Sequence, residues 1–224
     1  AALGYIDRMI PVIVADSKAA LTSPSAAQDA KVAQEIYDVQ TAVMAIDAGM
    51  DAHTPLGDAK RAIVDARKAV ARAERAALAK NKREQEAAAA DMERALDMLK
   101  KLREDQKSAL NAPGVDAEAV AKALKEIDAL TQDLEKLARD RAHDNSTEVH
   151  AVALRMKAPL ASLEEAVCVP RSEAAATKKK VAGISARARK AAASGKRTDL
   201  TGLLGAAQSL LDSLRGFEDA SRDA

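Results

Sequence analysis

The chain has 224 residues, 48% hydrophobic and 31% charged, with 35 Lys and Arg against 34 Asp and Glu, a formal net charge of +1. Alanine supplies about a quarter of all positions and aromatics only 1%, so the composition favours long helices and leaves too little to fill a pleated sheet. All-β and Rossmann-type folds are excluded, and the near-zero net charge gives no global field for nucleic acid.

The first predicted helix covers Ala2 to Leu21 and ends at Thr22-Ser23-Pro24. Its apolar run, Met9 to Ala15 between Arg8 and Asp16, falls far short of the ~18 residues of a membrane span. Nothing before it resembles the basic start of a signal peptide, the chain opens without Met as an excised fragment would, and no transmembrane segment is expected. Ser25 and Gln28 form a capping box for the second helix, whose apolar positions Val32, Ile36, Val39, Val43 and Ile46 step by three and four. Gly49 to Thr54 makes a joint, with Thr54 as a cap and Pro55 at the first helical position.

From Pro55 to Asn111 the only glycine is Gly57 and there is no further proline. The expectation is one helix of ~57 residues, on the order of 85 Å long. Its polar waist, Lys80 to Glu86, is either a solvated stretch between two packing regions or a tight turn between antiparallel helices. The absence of Gly and Pro favours the continuous helix.

Asn111-Ala112-Pro113-Gly114 is the strongest break. Asp116 then caps a fourth helix with Val120, Leu124, Ile127, Leu134 and Leu137 at near-heptad spacing. His143 to Thr147 is a polar joint, and further helices follow over Glu148–Val169, Ser172–Ser194 and from Leu200 to Phe217. Arg8-Met9-Ile10-Pro11 and Arg155-Met156-Lys157-Ala158-Pro159 form a weak internal repeat. The expected fold is all-α: tandem antiparallel bundles of about seven helices, divided as 1–80 and 81–224 and joined by the long shared helix.

Leu3 to Ala15, Leu21-Thr22-Ser23-Pro24, Ala26-Ala27 and Val43-Met44-Ala45-Ile46-Asp47 together resemble the vinculin and α-catenin family of adhesion proteins. Asn111-Ala112-Pro113-Gly114-Val115 and Glu118-Ala119-Val120 are similar to that family's short break and following helix. A tryptophan the family often carries in its second helix is absent; Ile36 and Tyr37 stand nearby, and talin rod bundles remain the nearest alternative. The resemblance implies a non-enzymatic cytoskeletal scaffold that links adhesion complexes to actin at a cell junction. Its partners would be of the actin, vinculin, talin or catenin type.

Catalytic, metal and cofactor sites find little support. Cys168 is alone, so no internal disulfide or cysteine-based zinc site forms; it suits a reducing, cytoplasmic compartment and reads as an inert thiol at an apolar helix end. His143 and His150 are separated by the polar joint, and Ser194 to Thr198 lacks the glycine and strand of a phosphate-binding loop.

Two stretches are candidate partner sites. Lys178, Lys179, Lys180, Arg187 and Lys190 lie in a basic segment whose single acid is Glu173; it suits an acidic protein surface or anionic lipid, or a solvated outer face. Leu203, Leu204, Ala207, Leu210 and Leu211 form the apolar stripe of the last helix, either a releasable partner-binding face or simple core. A coiled-coil homo-oligomer and a basic-patch binder of anionic lipid stay open beside the scaffold reading.

Overall fold

A computed structural model describes residues 2–167 except 24 and 114. The fold is all-α: α1 (Ala2–Thr22), α2 (Ala26–Met50), α3 (Pro55–Leu78), α4 (Lys82–Glu104), α5 (Ala117–Arg139) and α6 (Ser146–Val167), with one 3-10 turn at Ala109–Asn111. No strand occurs among the described residues. Two compact units divide the chain within α2: residues 1–47 belong to one, and residues 48–169 form the other.

In the first unit α1 buries Ile6, Ile13, Ser17 and Ala20, one face of a helix that carries Pro11 on its exposed side. Ser25 accepts from the Gln28 amide at 3.2 Å, which starts α2 where its capping box places it. Val32, Ile36, Val39 and Val43 are buried, and Ile46 is half-buried.

The second unit takes in the last turn of α2 and the α2–α3 joint. Thr54 donates its hydroxyl proton to the Asp51 carbonyl at 2.7 Å and accepts from the Gly57 amide at 3.1 Å. Gly57 is required by close approach, because a Cβ there would lie 2.1 Å from the Asp51 carbonyl oxygen. Helices α3, α4, α5 and α6 then form a bundle in which α3 packs most extensively, against both α4 and α6. Ile63, Val70, Met92, Leu99, Ile127, Leu134, Met156, Leu160 and Leu163 fill its core.

The single long helix over Pro55–Asn111 is not formed. It is a hairpin, and the waist is its turn. The Lys80 amide donates to the Ala77 carbonyl at 3.0 Å and the Asn81 amide to the Ala76 carbonyl at 2.8 Å, the paired bonds of a Schellman motif. Lys80 takes the left-handed conformation at φ 50°, a place that glycine usually occupies. Asn81 then caps α4 by accepting from the Glu84 amide at 3.2 Å. Glu84 stands three residues after the cap, the spacing of a capping box, and this is the signal that marks the turn without Gly or Pro.

The same finding overturns the shared helix between bundles. A division at residue 80 would fall inside the hairpin turn. Helix α4 also ends at Glu104, seven residues before Asn111. Side chains satisfy its last carbonyls: Ser108 Oγ bonds the Leu102 carbonyl, and Asn111 Nδ2 bonds those of Arg103 and Asp105. Among the described residues the other breaks lie close to where expected, with Asp116 capping α5 through the amides of Glu118 and Ala119, and the helices expected over Ser172–Ser194 and from Leu200 lie outside the described residues.

Candidate functional site

Along α3, Lys60, Ile63, Arg67, Val70, Glu74 and Ala77 recur at alternating steps of three and four, the two inward positions of a heptad. Every second member is charged, yet all six are buried; Lys60, Arg67 and Glu74 are only 4%, 2% and 4% exposed. Burying a charge is costly unless it is paired, and each of these is. Lys60 Nζ lies 2.7 Å from Asp51 Oδ2, at the joint that leads into the helix. Arg67 Nη1 lies 3.2 Å from Glu164 Oε2 on α6. Glu74 takes Lys157 Nζ at 2.7 Å on one oxygen and faces His150 Nε2 at 3.8 Å on the other, both from α6.

A fourth buried polar link closes the same side of the bundle. Gln85, 1% exposed on α4, donates from Nε2 to Ser146 Oγ at 3.0 Å, at the first residue of α6. The α3–α6 contact is therefore an antiparallel seam whose register is set by charge. Sliding α6 by one turn would leave Arg67 and Glu74 buried against apolar side chains.

Charge is arranged differently between α4 and α5. Lys100 reaches Asp128 at 2.7 Å, Arg141 reaches Glu86 at 3.2 Å, and Arg139 lies 3.7 Å from Glu93 and 3.3 Å from Glu135. These pairs sit on the rim, open to water, where such contacts contribute little. Burial, followed by a hydrogen bond with the Glu93 carboxyl, raises the Glu135 pKa above the ordinary carboxylate range.

In the first unit, Lys31 bridges Asp16 of α1, at 2.9 Å, and Glu35 of its own helix, at 3.9 Å. Burial and the hydrogen-bonded Asp16 carboxylate push Glu35 up to about 7. Hydrogen bonds from Lys31 and from Glu35 hold Asp16 below its usual value. The two carboxyls thus meet across the α1–α2 contact with Lys31 beside both.

Chemically, these arrangements hold helices in register. His143 and His150 are not brought together: His143 Nδ1 pairs with Asp140 at 2.9 Å in the α5–α6 loop, whereas His150 faces Glu74. Among the described residues no group of three or more His, Cys, Asp and Glu is placed to hold a metal, and no helix is long and apolar enough to cross a membrane. The sequence-based candidates Lys178, Lys179, Lys180, Arg187, Lys190, Leu203, Leu204, Ala207, Leu210 and Leu211, together with Cys168, lie outside the described residues.

The charged column on α3 was within reach of the sequence. Lys60, Arg67 and Glu74 each stand three residues before Ile63, Val70 and Ala77, a charge at every second core position. Its partners could not be read, because Glu164 and Lys157 lie far along the chain and only the fold brings them near. No family model matches the chain, and no curated protein or solved structure matches it significantly.

Proposed function

We propose that the chain is a segment of a cytoplasmic, non-enzymatic scaffold that links adhesion complexes to the actin cytoskeleton, with helical bundles as its force-responsive parts. The observation that carries this reading is the α3–α6 seam, which combines alanine-rich helices with a register fixed by buried ion pairs. Such a seam holds one alignment under load. Where other contacts of the bundle give way, alanine-rich helices keep their secondary structure.

The adhesion assignment is supported by the resemblance carried on α1 and α2. The talin rod alternative, with its four- or five-helix bundles, stays open beside it. The partners would be filamentous actin or the vinculin, talin and catenin proteins that meet there.

Incubation of the full chain with filamentous actin, a vinculin head, a talin rod and β-catenin tests the reading. Saturable capture by at least one of the four is expected. Failure with all four, by a chain whose circular dichroism is helical, overturns it.

A further inference from the structure

The two sides of the α3–α6 bundle differ in how they are closed. Helices α3 and α4 are joined by only residues 79–81, and α5 and α6 by residues 140–145, whereas residues 105–116 connect α4 to α5. Each short connection holds two antiparallel helices together as a hairpin. The long one carries the 3-10 turn Ala109–Asn111 and does not draw α4 and α5 into a tight hairpin.

Between the hairpins, α3 and α6 are fastened from inside by Arg67–Glu164 and Glu74–Lys157. Separating them would break Arg67–Glu164, buried on both sides, and would uncover the buried Glu74 carboxylate that Lys157 pairs. Helices α4 and α5 make the least extensive of the four neighbouring contacts, and their polar links are the rim pairs of Lys100, Arg139 and Arg141 together with one part-buried bond, from Lys82 Nζ to the Leu137 carbonyl at 2.8 Å. Glu93 and Glu135 also bring two carboxyls together across that rim, with Arg139 beside both. Parting α4 from α5 relieves this contact; it gives up screened rim pairs and the Lys82 bond, and exposes apolar side chains along the smallest of the four interfaces.

We propose that the bundle opens as two rigid hairpins, α3–α4 and α5–α6, which stay joined along α3–α6 and part along α4–α5. The 105–116 connection limits the opening, since Leu110 within it is buried at the end of the bundle and must withdraw first. The motion needs no partner, so it stands or falls apart from the adhesion reading.

Spin labels on exposed positions of the full chain, in a Cys168→Ser background, test it by pulsed distance measurements. One pair, Asp97→Cys with Gln132→Cys, spans α4–α5; a second, Lys68→Cys with Arg94→Cys, lies within the first hairpin; a third, Lys68→Cys with Ser162→Cys, spans α3–α6. In urea below the loss of helicity, the 97/132 pair should gain a second population longer by about 10 Å, one helix diameter. The other two pairs should each keep a single population. A 97/132 distance that stays single until the helices melt overturns the proposal, as does a 68/162 or 68/94 pair that parts first or together with it.

Discussion

Arg67 and Glu164 bring opposite charges into a core where neither could be left alone. Arg67→Met should destabilise the bundle by about 3–5 kcal/mol, because Glu164 then stays buried without this partner. The double variant Arg67→Met with Glu164→Leu should melt close to wild type, since matched apolar replacements give up little stability; chemical denaturation of the three proteins compares them directly. Glu35 makes a prediction of opposite character. Its folded-state pKa of about 7 lies above the ordinary carboxyl value, so the folded protein binds the extra proton. That contribution to stability is complete below the unfolded pKa of about 4.5 and is lost as the pH rises through about 7. Carboxyl NMR should place the Glu35 titration near neutrality. Asp16→Asn should move it down, though not fully to the ordinary range, because burial remains the larger cause.

The hairpin turn shows at the scale of elements what a sequence conceals. Lys80 in a left-handed conformation gives no compositional sign, and a search for Gly and Pro passes over it. Lys80→Gly should stabilise the turn by up to about 1 kcal/mol, and Asn81→Ala should weaken it by about 1 kcal/mol through loss of the α4 cap. Thermal melts of the two variants should shift in opposite directions. Three helix starts were legible because their chemistry is local: Ser25, Thr54 and Asp116 cap the helices they were expected to cap. The apolar stripes were legible too, with Ile63, Val70, Met92, Leu96, Leu124 and Ile127 all buried. The end of α4 was not, since Ser108 and Asn111 fold back on its carbonyls in a way that no periodicity encodes.

At the scale of the molecule, the unit of residues 48–169 contains both ends of every buried pair described along α3. It should therefore fold by itself, with cooperative melting and strong helicity when expressed alone. A cut between residues 80 and 81 separates α3 from α4, α5 and α6. Glu164 and Lys157 then lose Arg67 and Glu74, and the apolar faces of α4 and α6 lose the helix against which both pack. Fragments 1–80 and 81–224 should each fail to give the cooperative transition of the α3–α6 bundle. Mixed at equal concentration they should recover it, because the cut lies in a three-residue turn that buries no core side chain, and the charged column selects only the native register. Circular dichroism melts of each fragment and of the mixture make the comparison. A fragment 81–224 that melts cooperatively by itself would show that α3 is dispensable, and that its buried charges do not organise the bundle.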